Sequence, residues 1–447
     1  MRILFLSDNF PPEVNAPATR TYEHCAEWVR RGASVTVVTC VPNFPHGKIY
    51  PGYRNGLIQR ETMDGIRVIR VWTYMAPNRG VVRRIFDYVS FCVASFCAGL
   101  FQKTDLIIAT SPQFFSAVSG FLLSFVKRKP WVFELRDLWP DSIESLGAVK
   151  RSHGLHVMEK LELFLYRRAT VIVPNTAAFK RNLVRRGINP AKIKVVTNGA
   201  NLQRYYPQAK NKDLITEFDL ENKFVVGYIG TIGLAHRLDF IVRAAAKIKD
   251  QSIFFMFVGD GATRQLVEML SKELGLKNMI FRNPVPKGEV VDYLSIADVA
   301  LIPLRKSETF KTVIPSKIFE SAAMQRPILL GVDGEAKRLV SMYGAGLCFE
   351  PENERDFLAK LKELKENRGL YARLQEGCAR LAADFDRKKL AREMLSVLQD
   401  AAGVEVVGRP EEVRHPLPAS VIPYSARISV QRRLARMEAS RKTSLKR

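Results

Sequence analysis

Acidic side chains are scarce in this chain: 45 Asp and Glu against 69 Lys and Arg leave its 447 residues with a formal charge of +24. An excess of that size implies an anionic partner, whether nucleic acid, acidic lipid or a diphosphate-bearing substrate. Nucleic acid is disfavoured, because the charge is spread over both halves and neither a recognition helix nor an aromatic RNA-binding motif accompanies it. Cysteine is sparse too, and Cys25, Cys40, Cys92, Cys97, Cys348 and Cys378 stand without metal-ligand spacing. With Met1-Arg2 leading straight into an apolar strand and no cleavable leader ahead of it, the expected location is reducing and cytoplasmic. No apolar run reaches the ~20 residues that cross a bilayer, which excludes a transmembrane helix. Also missing are G-x-G-x-x-G, the dinucleotide-binding fingerprint, and any D-x-D constellation of metal-binding type.

What is present is a globular composition, 47% hydrophobic and 26% charged, in a chain too long for one core. Two domains plus extras are expected. The strand at residues 2–8 leads into a loop at 9–18 stiffened by prolines. A helical pattern over 19–31 follows, closed by Gly32, and then the β-branched run at 34–39. That is a βαβ unit, and the small residues Ala16 and Ala18 sit where its loop would approach a ligand, with Asn15 and Ala16 the candidates on that loop; a plain structural turn is the other reading. Residues 42–84 are mixed, with a strand at 66–72 and a basic turn at 79–84. The apolar segment 85–101, broken by Asp87, is either a core helix or one lying in a membrane interface with Arg83 and Arg84 at its end.

The strand at 131–135 runs into Arg136-Asp137-Leu138-Trp139-Pro140-Asp141, at the carboxyl end where open α/β sheets place ligands. There Asp137 could act as a base or orient a hydroxyl and Arg136 could meet an anion, unless the two merely cap the next helix. Further on, a helix ending at Gly187 and a strand ending at Asn198-Gly199 precede a polar link at 204–220. The strand, glycine-loop, helix pattern then restarts at Phe224. Gly230 and Gly233 allow backbone amides close to a phosphate, with Thr231 between them and His236 and Arg237 at the helix mouth. The turn Gly259-Asp260-Gly261 repeats the device after the next strand. Residues 312–331 form a short helix feeding a buried strand, with Ser316 and Lys317 at the helix start and Glu320 in its first turns, able to accept paired sugar hydroxyls. A surface glutamate on an amphipathic helix is the plainer reading. Gly334, Glu335 and Ala336 open another helix whose first amides could hold a diphosphate.

In order and spacing, Pro174-Asn175, Gly187 with Lys192-Ile193, Asn198-Gly199, the 227–230 and 258–261 glycine motifs, Ala297-Asp298 and the 319–327 segment resemble the family-4 retaining GT-B glycosyltransferases. Within that group the motifs at 9–13 and 136–140 are most similar to bacterial polysaccharide and O-antigen transferases, among them the L-fucosamine transferase type. The resemblance implies an α/β GT-B architecture, two Rossmann-like domains facing across a cleft. It would place the acceptor-side domain at 1–205, the nucleotide-sugar domain at 206–384, a helix crossing back at 385–403 and a basic tail at 404–447. It implies transfer of a sugar from a nucleotide-diphosphate donor, a UDP-sugar, to a lipid-diphosphate-linked saccharide, with no metal or other cofactor. Glu320 matches the ribose-binding second glutamate of the family's paired-glutamate motif. The first is Thr312 here, with Glu308 out of register. The family's phosphate-binding Arg and Lys align with Thr231 and His236, leaving Arg237, with Arg305 or Lys317, as substitute cations. Asp137, Arg136 and Arg237 are thus the candidate catalytic set.

Two further partners or activities stay open. An anionic membrane surface could bind both 85–101 and the basic segment 427–447, placing the protein at the inner face of the cell membrane. Nucleotide-sugar epimerisation on the same architecture is the alternative chemistry, with an anionic-polymer-binding protein behind it.

Overall fold

A computed structural model describes residues 1–44, 47–75, 81–111, 113–138 and 153–404, with backbone alone at 81, 82 and 153. The tail from 405 on, with its basic segment 427–447, the first part of the basic turn 79–84 and Trp139-Pro140-Asp141 lie outside the described residues.

The first half builds a seven-stranded sheet from β1 (Arg2–Leu6), β2 (Ser34–Cys40), β3 (Ile58–Met63), β4 (Ile66–Val71), β5 (Leu106–Thr110), β6 (Trp131–Leu135) and β7 (Val171–Pro174). Their order is β3-β4-β2-β1-β5-β6-β7. All pairings are parallel except β3 with β4. The sequence reading placed a strand at 66–72 but missed β3. The hairpin turn Asp64-Gly65, with both residues at positive φ, fixes the antiparallel pair. Helices α1 (Ala16–Arg30), α2 (Val81–Leu100), α3 (Phe115–Lys127), α4 (His153–Arg168) and α5 (Ala177–Arg185) accompany this sheet. Helix α1 starts three residues earlier than the sequence pattern indicated, because Asn15 caps it and Pro17 fits its first turn. Residues 193–197, expected as a strand, instead run extended beside β7, with Lys194 and Val196 donating to the Ile172 and Pro174 carbonyls.

Helix α2 divides the two readings of segment 85–101 between its faces. Phe91, Cys92, Ser95 and Ala98 are buried against the sheet and α3, while Ile85, Phe86, Val89 and Val93 stay exposed.

The second sheet is wholly parallel, built from β8 (Phe224–Ile229), β9 (Ile253–Val258), β10 (Met279–Arg282), β11 (Val299–Pro303), β12 (Ile328–Gly331) and β13 (Gly346–Cys348). Their order is β10-β9-β8-β11-β12-β13. Continuous apolar runs such as those of β8, β9 and β11 are what strands need when helices cover both faces. Those helices are α6 (Lys212–Glu217), α7 (Leu238–Ala245), α8 (Arg264–Glu273), α9 (Val290–Ile296), α10 (Lys317–Ala323), α11 (Glu335–Tyr343), α12 (Glu354–Glu366) and α13 (Arg368–Asp384).

The last described helix, α14 (Arg387–Ala402), packs on α1 of the first half. Trp28 donates its indole N–H to the Ala391 carbonyl at 2.7 Å. Arg387 pairs with Glu23 at 2.9 Å and also donates to the Gly199 carbonyl. In each sheet the strand order reverses between two central neighbours, β1 and β5 in one, β8 and β11 in the other. The crevice beyond the carboxyl ends of such a pair is where this kind of sheet takes ligands.

Candidate active site

The second-domain half of the site lies at the carboxyl ends of β8 and β11. Gly230 ends β8 at φ +138° and Gly259 ends β9 at φ +144°. A Cβ on Gly259 would stand 1.9 Å from the Gly230 carbonyl oxygen, and one on Gly261 would stand 2.4 Å from that of Ile232. The two glycine loops therefore pack backbone on backbone, so Gly259 and Gly261 serve loop contact where the sequence suggested ligand approach. Gly230 is different, because the nearest atom to its missing Cβ is Lys317 Nζ at 3.0 Å. The small residue there makes room for a lysine from another element.

Lys317 begins α10, and its Nζ is buried without a hydrogen-bond partner, 3.8 Å from the centre of the Tyr228 ring. Burial pulls its ammonium down to about 7, against the opposing influence of Glu320 one turn along the helix. His236 lies edge-on to the same tyrosine. Burial, and secondarily the charge of Lys317, hold this imidazole down to about 3, so it is neutral at physiological pH. Its buried Nδ1 lacks a well-formed hydrogen bond, only the Gly233 backbone approaching it. Thr231 is exposed, and its carbonyl accepts the Tyr228 hydroxyl.

Glu320 is half-buried and acts electrostatically on Lys317, Tyr205 and Lys287. Lys287, which the sequence did not single out, reaches across the domain boundary to donate to Thr19 Oγ1 on α1 at 2.5 Å. Ser316 immediately precedes α10, and its carbonyl accepts from Phe319 and Glu320. Thr312, at the position of the absent first glutamate, faces the other domain, its carbonyl accepting from Thr176 Oγ1 at 2.9 Å. Glu308 points elsewhere, its side chain 88% exposed and paired with Lys311.

Of the other expected contributors, Arg237 and Glu335 are committed to ion pairs. Arg237, expected as the free cation at the loop, is held between Asp239 at 3.1 Å and Glu352 at 2.9 Å. Its guanidinium is already balanced by carboxylates of its own domain. Glu335 pairs across the cleft with Arg181 of α5, while Gly334 caps α11 and Ala336 is buried behind it. Arg305 is exposed, its amide bonded to the Ala235 carbonyl at 2.7 Å, which keeps it beside the loop that carries His236.

On the facing domain, Asn15 accepts from the Ala18 amide at 2.9 Å and donates to Asn9 Oδ1 at 2.6 Å, while Ala16 is exposed at the tip. Ser111 Oγ, at the end of β5, accepts from the Arg136 amide at 2.7 Å and the Asp137 amide at 3.3 Å, fixing the turn after β6. Burial pushes Asp137 up to about 6, although the neighbouring Arg136 opposes this. Arg136 is 8% exposed, its Nη1 has no partner, and burial lowers it to about 10. It shares the field of Glu134 with Arg20, whose Nε bonds that carboxylate at 2.9 Å.

Two further carboxyl groups of this domain have no role predicted from the sequence. Asp87 of α2 is pushed by burial up to about 7, and Asp8, at the end of β1, is raised by burial and then by Asp87 and Glu13. The signal was there, in a lone carboxylate interrupting an apolar helix. Among the described residues no group of three or more His, Cys, Asp or Glu side chains is disposed to hold a metal ion.

Comparison with known proteins assigns a family domain to each half of the chain. Residues 15–199 match the model of the glycosyl transferase 4-like domain, and residues 211–380 match that of glycosyl transferases group 1. A protein of Escherichia coli (strain K12) named as a colanic acid biosynthesis glycosyl transferase, WcaI, is 25% identical over 81% of this chain and 92% of its own length. The N-acetylgalactosamine-N,N'-diacetylbacillosaminyl-diphospho-undecaprenol 4-alpha-N-acetylgalactosaminyltransferase of Campylobacter jejuni is 24% identical over 57% of this chain and 67% of its own. Among solved structures, HepE of Anabaena in complex with UDP-glucose superposes with a TM-score of 0.67 at 17% identity, over 90% of this chain and all of that one. Two successive family domains, together spanning most of the chain and matched by the fold, make this protein a two-domain glycosyltransferase of GT-B architecture, a glycosyl transferase 4-like domain followed by a group 1 domain.

Proposed function

We propose that this enzyme transfers a sugar, with retention, from a UDP-sugar to a saccharide carried on a lipid diphosphate at the cytoplasmic face of the membrane. The observation that carries the donor half is the convergence of Glu320, the Gly230 loop and two buried, unsatisfied nitrogens, Lys317 Nζ and His236 Nδ1, at one strand-order reversal. A carboxylate for ribose hydroxyls beside nitrogen groups able to donate to a diphosphate is the chemistry a nucleotide sugar requires. UDP is favoured by the UDP-glucose held in the HepE structure. A lipid-diphosphate acceptor is favoured by the undecaprenol-linked substrate in the name of the Campylobacter relative. On the facing side Asp137 would orient or deprotonate the acceptor hydroxyl. In this reading the departing diphosphate is neutralised by side chains, so turnover should persist in EDTA.

The membrane face is supported by an apolar surface on the first domain. Ile85, Val89, Val93, Cys97 and Phe101 recur at every fourth residue, all exposed. Leu122, Phe125 and Val126 of α3 add to the same surface, since Lys127 bonds the Leu100 carbonyl and ties the two helix ends together. Arg83, Lys103, Arg128 and Lys129 are exposed around it, a rim suited to anionic headgroups.

The test is a panel of UDP- and GDP-sugars incubated with the purified protein, with and without a lipid-diphosphate acceptor. Sugar transfer only when acceptor is present is expected. Conversion of the nucleotide sugar alone would overturn the reading in favour of epimerisation.

A further inference from the structure

We propose that Lys317 is the group that neutralises the donor diphosphate, and that it does so by taking up a proton as the nucleotide binds. This rests on reading the Gly230 loop as the nucleotide-diphosphate site and adds the means by which that site acquires its charge.

Geometry carries the argument. Lys317 Nζ is buried with no acceptor bonded to it, and it can lie against the Gly230 backbone because position 230 has no side chain. An ammonium in such a place is poorly solvated, and charge without a partner is costly enough that a lysine sheds its proton instead. The groups that could compensate it are few. Among the described residues Glu320 on its own helix is the only carboxylate acting on it, His236 on the loop is neutral, and Tyr228 of β8 offers a ring face alone. Burial pulling the group to about 7 agrees, so at and above neutral pH a large share of the resting enzyme carries a free amine.

A diphosphate oxygen arriving over Gly230 supplies both the missing acceptor and a compensating charge. The amine then binds a proton from solvent and becomes an ammonium hydrogen-bonded to phosphate, with no covalent bond made or broken. Arg237 cannot take this part while its guanidinium serves Asp239 and Glu352. The resting site thus avoids a permanently buried, unpaired cation, which would destabilise the domain. It gains its charge only when the anion is present.

The experiment is calorimetric titration of the full chain with UDP and with GDP at about pH 8, where a nucleotide's own phosphate is already ionised. It is run in several buffers of different ionisation enthalpy. The expected result is an apparent enthalpy that varies linearly with the buffer's, with a slope reporting uptake of a fraction of a proton, fading at about pH 6 where the lysine is already charged. Lys317→Met should weaken binding about 10- to 100-fold and abolish the uptake, while Lys317→Arg should bind with no uptake. Because methionine removes an unpaired polar group, the free Lys317→Met protein should melt no lower than wild type, which separates lost charge from lost fold. Binding by the wild type with no proton uptake, or unchanged uptake in Lys317→Met, would overturn the inference and leave the nucleotide site standing. Absence of any UDP or GDP binding would remove the nucleotide-site reading and this inference with it.

Discussion

Arg237 Nη1 and Glu352 Oε2 lie 2.9 Å apart, joining the residue after the glycine loop to the far side of the second domain. With Asp239 on the other edge of the guanidinium, this ion pair anchors a residue whose φ is +46°, in the left-handed region a side chain seldom occupies unaided. Its function in the free enzyme is therefore to shape the loop. Arg237→Ala should cost at most about 1 kcal/mol of stability, since the groups are a third exposed. It should reduce turnover less than Lys317→Met does. A loss of about 100-fold or more from Arg237→Ala alone, the size expected for a lost transition-state donor, would show that the arginine leaves its carboxylates to meet the diphosphate.

Glu320→Ala is expected to weaken nucleotide binding by about 1.5–3 kcal/mol, the range for hydrogen bonds to a charged group. The fold should be intact, because the side chain is only half-buried and carries no described structural hydrogen bond. Calorimetry with UDP reads this directly, and an unchanged affinity would take the ribose contact away from this residue.

Asp137, pushed up to about 6 by burial, is ionised above that pH and protonated below it. If the carboxylate form serves the acceptor, the rate at saturating donor should rise with pH to a plateau reached a unit or so above 6. Asp137→Asn should lower acceptor turnover and remove that rising limb while sparing UDP affinity. Normal transfer by the asparagine variant would shift attention to Asp87, whose transition is displaced to about 7.

Membrane attachment divides into an apolar and an ionic part. Phe101→Asp with Phe125→Asp, both in side chains more than 70% exposed, should sharply reduce binding to anionic liposomes without unfolding the protein. Removing residues 427–447 should make binding weaker and less dependent on salt, yet not abolish it. Indifference of the full chain to anionic liposomes at low salt would refute both contributions.

Much of this architecture was legible in the sequence because parallel strands buried on both faces announce themselves as apolar runs, and the β-loop-helix alternation repeats twice. The hairpin strand β3 was not, because the polar residues Gln59, Arg60 and Glu61, exposed or half-exposed, break the apolar signal. Its turn, Asp64-Gly65, was the readable clue. Within the candidate site, the local pattern singles out Glu320 and Gly230. It does not reveal which cation serves the loop. Arg237 is adjacent in sequence but balanced by Glu352, 115 positions away, while Lys317 arrives from a different strand-helix unit. Partners distant along the chain decide which charges are free, and local patterning carries no record of them.

The grip of α14 on α1 bears on how such enzymes could be recombined. Since Trp28 and Glu23 take partners from Ala391 and Arg387, the last described helix completes the first lobe although it follows the second lobe in sequence. A chimera made by a single crossover near residue 205 would graft a foreign last helix onto α1. Exchanging donor specificity between relatives would need two splice points, the second just before Asp386, so that each first lobe keeps the helix that closes it.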